Sequence, residues 1–372
     1  MLPVFRLKRN FFAVWTIFAA ALALLVLAGC VISPRRTLGG GGGGTPTPTP
    51  TPTPTGSPTP TPTPGATPAQ GRLYVSNSGD NSILRFDQAL TASGNIPPAA
   101  TIKGAATTLN APTFITLDTA ADRLFVANRT AASILIFDNI STKDGNIAPQ
   151  RTISGATTAL VSPTDAALDK GRDMLYVADD LQILVFKAST DTGNVAPTRT
   201  LTLTFTPSAI FIDTTNDRLF AADSVNNAVD VFDLASTLSG SVTATRTLIG
   251  AATHLATPGG ILVDGSGRLV VSNASPPSIT IFNNAAGVSG NVGPAAEFVG
   301  SNTGFSAPDQ IVVNTAGTGT LYNADPGAAR IAVFTNLSSS TGNVGPARTI
   351  TGPATTLTVP GQPVGLALDT TR

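Results

Sequence analysis

Short apolar segments separated by polar turn residues recur along the chain from Gly71 onward. One segment reads Arg-Leu-Tyr-Val-Ser-Asn over residues 72–77, and similar segments follow at intervals of 44 to 52 residues. A fixed period of this length indicates a repeat architecture, which must be recognised before any other fold assignment. The leucine of the segment stands at positions 73, 124, 175, 219, 269 and 321, so the pattern predicts six units.

Each unit contains four segments that predict strands. About ten residues after the leucine comes a second apolar segment that ends in Phe, and a third follows a Gly-Asn turn such as Gly145-Asn146. A fourth begins with Pro, as in Pro112 to Asp118. Segments rich in Val, Ile, Phe and Tyr between Asn, Asp, Gly and Ser are typical of short strands joined by tight turns. The Pro-led segment is apolar on both faces, which predicts that it is the most buried strand.

Four strands per unit at this period predict an all-β fold, a six-bladed β-propeller of four-stranded blades. The pattern Pro-x-x-Ile-x-Leu-Asp, then Arg-Leu-x-Val-Ala-Asn/Asp, then Ile-x-Val-Phe-Asp resembles NHL and related YVTN-type propeller repeats. The resemblance covers residues 71–372 and implies the fold while saying almost nothing about function.

The two ends of the repeat region predict how the ring closes. Residues 363–369 form the Pro-led strand of a seventh unit, whereas the first unit begins at Arg72 without that strand. We therefore expect the C-terminal strand to pair into blade one as its innermost strand, which would leave no open sheet edge between the first and last blades.

The N-terminal residues predict an export signal. Arg6, Lys8 and Arg9 precede an apolar stretch from Phe11 to Gly29, the layout of a secretory signal. Residues 27–30, Leu-Ala-Gly-Cys, resemble a bacterial lipobox, which implies cleavage before Cys30 and acylation of that residue. An uncleaved membrane anchor is the alternative, since about 20 apolar residues span a bilayer. Cys30 is the only cysteine, so it has no disulfide partner within the chain.

Residue 31 is Val rather than Asp. By the same resemblance, the inner-membrane retention signal is missing, which implies the outer membrane or the cell surface of a bacterium. A spacer follows, with six glycines at 39–44 and Thr-Pro alternation over 45–64. Oligoglycine is flexible, whereas alternating Pro favours extended polyproline II. The predicted organisation is a signal peptide over 1–29, a lipid-anchored linker over 30–70 and a propeller over 71–372.

Charge and composition argue against two classes of function. The 22 basic and 22 acidic residues balance, which argues against a nucleic-acid partner because phosphate binding needs a basic surface. The chain has one His, one Cys, one Trp and a single Glu, Glu297. The only Trp lies in the predicted signal, and the scarcity of these side chains argues against catalysis.

Candidate chemistry is confined to the predicted mouth of the channel. The two positions after each Pro include Asp165 in blade three and Asp309 and Gln310 in blade six, which face each other in a six-fold ring. Two carboxylates there offer ligands to a hard cation such as Ca²⁺; the alternative is that each is solvated or caps a turn. His254, in the loop before Pro258, is a further candidate; as a general base it would need a partner, for which Asp309 of the next blade is available, but a plain surface-loop position is the favoured interpretation.

Two other sets of Asp and Asn recur once per blade, each just before a turn. Side chains of this type bond nearby backbone amides, which predicts that both sets cap turns. The first set is Asp118, Asp169, Asp213, Asp264, Asn314 and Asp369, and the second is Asn77, Asn128, Asp179, Asp223, Asn273 and Asp325.

The sequence thus predicts a lipid-anchored envelope protein whose propeller is a non-catalytic scaffold for a protein, an envelope polymer or a small ligand. The alternative is a metal-dependent hydrolase or lactonase with its site at the channel mouth. Six-bladed lactonases hold their metal with Glu, Asn and Asp, and no matching set is found here. No cofactor is predicted, and a divalent cation at Asp165 and Asp309 is left open.

Overall fold

A computed structural model describes residues 70–314, 319–357 and 362–372. The predicted signal peptide, Cys30 and nearly all of the linker lie outside these described residues. No helix among the residues described is long and apolar enough to span a bilayer.

The described residues form twenty-five strands and eight 3-10 turns. The strands are β1 Arg72–Asn77, β2 Ser82–Asp87, β3 Ala100–Lys103, β4 Pro112–Asp118, β5 Arg123–Asn128, β6 Ser133–Asp138, β7 Arg151–Ser154, β8 Pro163–Asp169, β9 Met174–Asp179, β10 Gln182–Lys187, β11 Arg199–Thr202, β12 Ala209–Asp213, β13 Arg218–Asp223, β14 Ala228–Asp233, β15 Gly240–Ser241, β16 Arg246–Ile249, β17 Pro258–Val263, β18 Leu269–Ala274, β19 Pro277–Phe282, β20 Ala296–Val299, β21 Ile311–Asn314, β22 Thr320–Asp325, β23 Arg330–Thr335, β24 Arg348–Thr351 and β25 Pro363–Asp369. The 3-10 turns are Ser78–Asp80, Ala105–Thr107, Ile140–Thr142, Ala156–Thr158, Ala251–Thr253, Ser301–Thr303, Pro326–Ala328 and Pro353–Thr355.

The strands form six sheets, each built on four antiparallel strands, and these are the blades of a six-bladed β-propeller. The predicted fold class is confirmed. From the channel outward, blade 1 is β25-β1-β2-β3, blade 2 is β4 to β7, blade 3 is β8 to β11, blade 4 is β12-β13-β14-β16, blade 5 is β17 to β20 and blade 6 is β21 to β24. The two-residue strand β15 adds to the outer edge of blade 3 in the parallel direction.

The ring closes where the sequence predicts. β25 pairs antiparallel with β1, with Leu73 opposite Leu368 and Val75 opposite Leu366. The Gly71 N–H also donates to the Arg372 oxygen at 3.0 Å. Leu73 and Leu366 share an apolar cluster with Tyr322 of blade 6, so one strand both completes blade 1 and packs it against the last blade.

The apolar core consists of six clusters, and each joins two neighbouring blades. The second strand of every blade is buried almost throughout, as Leu124 and Val126 of β5 illustrate. The prediction that the Pro-led strand would be the most buried is wrong. That strand is innermost, and residues such as Thr116 and Leu117 of β4 are only half-buried because they line the central channel.

The Gly-Asn turns fasten one blade to the next. In five of the six junctions the Asn Oδ1 accepts an N–H from the 3-10 turn that follows the outer strand of the preceding blade. We call this contact the Asn latch. The pairs are Asn146 with the N–H of Ala106, Asn194 with Thr157, Asn291 with Ala252, Asn343 with Asn302 and Asn95 with Ala354.

Each Asn latch requires a glycine at the start of the 3-10 turn. Gly352 has φ +117°, and a Cβ there would lie 2.6 Å from Asn95 Oδ1. The glycine of the Gly-Asn turn pairs with the neighbouring outer strand as well, since Gly94 bridges Ile350 in the parallel direction. The exposed edge of each outer strand is therefore partly covered by the next blade, which limits pairing with other chains.

The predicted turn caps are confirmed for the first Asp set and largely wrong for the second. Asp118 Oδ1 accepts N–H groups from its own turn at Ala120 and Ala121. In the second set, by contrast, five side chains bond the crossover, the loop that runs from the preceding blade's outer strand into their own blade. Asp179, for example, accepts the N–H of Val161. The five are Asn77, Asn128, Asp179, Asn273 and Asp325.

Deleting residues 360–372 removes β25 and leaves the inner edge of β1 unpaired. We expect the truncated protein to aggregate or to lose its cooperative unfolding transition, because an unpaired strand edge recruits other chains. Size-exclusion chromatography and thermal unfolding followed by circular dichroism measure this. A chain that starts at Gln70 keeps every described strand and is the control. A C-terminal truncation that melts like the full protein contradicts the closure.

Candidate functional site

The central channel contains a cavity of about 370 Å³ lined by the inner strands of all six blades. Its wall is mainly aliphatic, with Ile115, Ile210 and Leu366 among the lining residues. Asp165 and Gln310 lie near the ends where the inner strands of blades 3 and 6 begin. These side chains, with Thr116 and Asp264 of the same lining, are the polar groups of a largely aliphatic tube that can orient a ligand there.

Asp165 is buried, with 3% of its surface exposed. Its Oδ1 accepts the Ala166 N–H at 2.7 Å, and its Oδ2 accepts the Ile210 N–H of blade 4 at 2.8 Å. Burial raises the pKa of Asp165 to about 7, although these two backbone N–H groups act in the opposite direction. The carboxyl therefore links two blades while remaining close to its titration point at neutral pH.

Gln310 makes the corresponding link on the opposite side of the channel. Its Oε1 accepts the Leu366 N–H of blade 1 at 2.5 Å, and its Nε2 lies 3.5 Å from the Ile115 oxygen of blade 2. Gln310 and Asp165 both stand two residues after the Pro of their blade. The repeat thus places an amide and a carboxyl in equivalent positions, and both join inner strands through backbone groups.

Asp309 follows Pro308 and is half-buried. At this position blades 2 to 4 carry a hydroxyl that donates to the next blade, as Thr113 Oγ1 does to the Pro163 oxygen at 3.2 Å. A carboxyl can donate in this way only when it is protonated. Burial, and secondly the charge of Asp165, raise the pKa of Asp309 to about 7.

The electrostatic coupling of these carboxyls bears on what the channel could bind. Asp165 and Asp309 interact electrostatically, so the charge on one disfavours charge on the other. A cation or a hydrogen-bond donor in the channel would relieve that cost. No group of three or more His, Cys, Asp or Glu side chains suited to a metal occurs in the part of the chain that the structure describes. Cation binding at Asp165 and Asp309 stays a prediction.

His254 lies apart from these residues. Its Nδ1 is 3.0 Å from Glu297 Oε2 on β20, the outer strand of blade 5, rather than beside Asp309. The two side chains line an outer depression together with Pro276 and Val299. The only His and the only Glu of the chain thus form one surface hydrogen bond. The repeat alignment could not reveal this contact, because the two residues belong to different elements of the unit.

Large apolar side chains are exposed on one end of the ring in blades 3 and 4. Val161 is 63% exposed and its N–H bonds Asp179, while Leu181, 48% exposed, follows two residues after Asp179. Val225, 79% exposed, occupies the corresponding hairpin of blade 4. We call Val161, Leu181 and Val225 the apolar rim. Sequence reasoning missed it, although each residue stands in a turn where polar residues are usual.

A second cavity lies between blades 3 and 4 and contains Asp230 in its lining. When the repeats are aligned on the Phe of the second apolar segment, Asp230 stands two residues before it. Blades 1 to 3 carry Leu84, Leu135 and Leu184 at this position. The aligned repeats already contain this signal, since a carboxyl replaces a core leucine.

Neither a family model nor a curated protein matches the chain. Among solved structures, a chain of a nidogen/laminin complex is similar with a TM-score of 0.52 and 16% identity, over 80% of this chain and 97% of that one. Hydrazine synthase from Kuenenia stuttgartiensis gives a TM-score of 0.46 at 16% identity, over 63% of this chain and 66% of that one. A functionally unknown protein from Desulfotomaculum acetoxidans gives 0.49 at 16% identity, over 74% and 78%. The similarity to the chain of the nidogen/laminin complex shows the propeller fold alone.

Asp309→Asn should stabilise the ring at pH 8 and have little effect at pH 4. A carboxyl whose pKa rises on folding from 3.8 to about 7 makes stability fall as pH rises through that interval. Removing the charge should therefore raise the unfolding temperature by about 2 °C or more at pH 8, which corresponds to roughly 1 kcal/mol. Thermal unfolding across pH 4 to 8 measures this.

The control is Asp144→Asn, which alters an exposed carboxylate and keeps an oxygen that can accept the Thr101 N–H. Its difference from the wild type should vary little with pH. An Asp309→Asn protein whose difference from the wild type is the same at pH 4 and pH 8 contradicts a raised pKa of Asp309 in the folded ring.

Proposed function

We propose that this protein is a lipid-anchored bacterial envelope protein whose NHL/YVTN-like propeller is a non-catalytic scaffold that binds another protein. The anchor rests on the lipobox-like residues that end at Cys30 and on the absence of a second cysteine in the sequence. The Gly-rich and Thr-Pro-rich linker would hold the ring away from the membrane, because polyproline II extends by about 3.1 Å per residue.

The apolar rim is the observation that carries the binding role. Val161, Leu181 and Val225 lie at one end of two neighbouring blades and expose roughly half or more of their surface. Large exposed apolar side chains at one end of the ring offer surface that a bound partner can cover. A partner that covers the apolar rim would remove this surface from water, at about 25 cal/mol for each Å² buried.

The ring suits such a role because its framework is fixed between blades. Six apolar clusters and five Asn latches connect neighbours, so loops on the surface can differ without loss of the blades. The same framework presents the turns that contain Leu181 and Val225 at fixed positions. Binding would therefore need little ordering of the scaffold, which favours affinity.

The double variant Leu181→Ser/Val225→Ser should reduce partner binding while the ring stays folded. Chemical cross-linking in intact cells, followed by detection of this chain, measures whether discrete adducts form. We expect the wild type to give adducts and the double variant to lose most of them, because the apolar contact area is removed.

Leu234→Ser is the matched control, since Leu234 is 65% exposed but follows β14 at the opposite end of the ring. It should leave the adducts unchanged. Adducts that persist in the double variant and disappear in the control would place the binding surface elsewhere and contradict the role of the apolar rim.

Cys30→Ser tests the anchor separately. We expect the substituted protein to lose metabolic labelling with a fatty acid and to leave the membrane fraction if its signal is still removed. Equal fatty-acid incorporation in the wild type and the variant contradicts acylation at Cys30.

A further inference from the structure

The junction between blades 3 and 4 differs from the other five, and it encloses a side cavity of about 280 Å³. Its walls include Leu203 and Phe205 from the crossover between the blades, Phe232 from β14 and Val242 from the following connection. Ile249 of β16 is also part of the lining and is 42% exposed. The lining combines these apolar side chains with polar ones, among them Asn226 of the hairpin that carries Val225.

A short crossover produces this cavity. Pro207 follows β11 after residues 203–206, whereas Pro163 follows β7 after residues 155–162. The shorter loop has no room for the 3-10 turn that other crossovers contain. Ser241 occupies the place of the latch asparagine, although Gly240 still pairs with the outer strand β11 as the equivalent glycines do at the other junctions. Without the turn and the Asn latch, the space between the outer parts of these two blades remains open.

Asp223 also departs from the pattern of the other blades at this junction. Its equivalents in the other blades bond a crossover, whereas Asp223 accepts the N–H groups of Val225 and Asn226 in its own hairpin, each at 3.0 Å. Asn226 Nδ2 donates to its second oxygen. Asp223 therefore forms one polar wall of the cavity with its hydrogen bonds already satisfied by the hairpin.

Asp230 is the group that gives the cavity a chemical preference. It is 7% exposed, and Thr247 Oγ1 donates a hydrogen bond to its Oδ1. Burial, and secondly the charge of Asp223, raise the pKa of Asp230. The described lining contains these two carboxyls and no Lys, Arg or His. A carboxyl at a core position without a cation is costly, and a cation within the cavity would offset that cost.

We propose that this side cavity binds an organic ammonium group on an apolar stem, with Asp230 as its counter-ion. The stem would contact Phe205, Phe232 and Val242, and the ammonium would donate to the Asp230 oxygen that Thr247 does not use. A bare metal ion fits poorly, because Ca²⁺ takes six to eight oxygen ligands. An anion would meet two carboxyls. The site goes beyond the proposed scaffold role and does not depend on it.

The ammonium can come from a free amine or from a lysine side chain of a docked protein. Both have the same chemistry at Asp230, because n-butylammonium reproduces the four-carbon lysine stem. Asn226, the chain neighbour of Val225 in the apolar rim, is part of the lining, so a protein bound at the rim would lie close to the site.

The test is calorimetric titration of the full chain, in one detergent throughout, with n-butylammonium, n-butanol and N-acetyl-lysine methylamide at pH 7.5. We expect n-butylammonium to bind at least about tenfold more tightly than n-butanol, since a charge-assisted hydrogen bond to a buried carboxylate is lost in the alcohol. If the lysine amide binds, the site is assigned to lysine side chains of a protein. If only n-butylammonium binds, the site is assigned to free amines.

Asp230→Asn keeps the shape of the side chain and removes its charge. We expect it to weaken n-butylammonium binding about tenfold or more and to leave n-butanol unaffected. Asp144→Asn, at an exposed carboxylate in blade 2, should change neither. Equal affinity for the ammonium and the alcohol, or unchanged ammonium binding by Asp230→Asn, overturns the proposal.

Asp230→Leu restores the residue of blades 1 to 3 and gives a readout that does not depend on a ligand. If Asp230 is retained for binding at the expense of stability, this variant should unfold at a higher temperature and bind no n-butylammonium. A lower unfolding temperature would mean that the carboxyl stabilises the junction, which contradicts a site kept for ligand binding.

Discussion

The contact between one blade and the next is the interaction on which the whole ring depends. Each blade alone would expose both apolar faces of its sheet and the edge of its outer strand. A neighbour on either side covers one face through a shared apolar cluster, and a Gly-Asn turn of the next blade docks on the outer strand. At the closing junction the same contacts recur, with Asn95 of blade 1 holding the Pro353–Thr355 turn that follows blade 6. β25 adds a further link at this junction, because the strand follows blade 6 in the chain and pairs with β1 of blade 1.

The sequence predicted the ring because its main determinants repeat. The leucine and phenylalanine positions recur with the blade period, and the surplus Pro-led strand at residues 363–369 requires a partner. The Asn latch was not predicted, since a Gly-Asn pair indicates a local turn and gives no sign of a contact with another repeat. Asn128 was assigned to the wrong loop for the same reason, because its bonds run to the crossover before its blade.

The sequence indicated the positions of the channel residues more accurately than their hydrogen-bond partners. Asp165 and Gln310 lie in the channel wall, as the positions after proline indicated. What the sequence could not show is that both side chains bond backbone N–H groups of the next blade, which ties the polar groups of the channel to its framework. His254 occupies the surface position that the sequence favoured, but a loop residue can point toward the channel or the outer surface, and its bond with Glu297 could not be foreseen.

Departures from the repeat collect at the junction of blades 3 and 4. There the crossover is short, Ser241 replaces the latch asparagine, Asp223 turns to its own hairpin and Asp230 replaces a core leucine. This break in the pattern is what creates the proposed binding site. It is tested most directly by grafting residues 155–162 in place of 203–206 together with Ser241→Asn, and by following both the unfolding temperature and n-butylammonium binding. The grafted ring should be more stable and should no longer bind the amine; a stable graft that binds it as the wild type does would contradict this origin of the site.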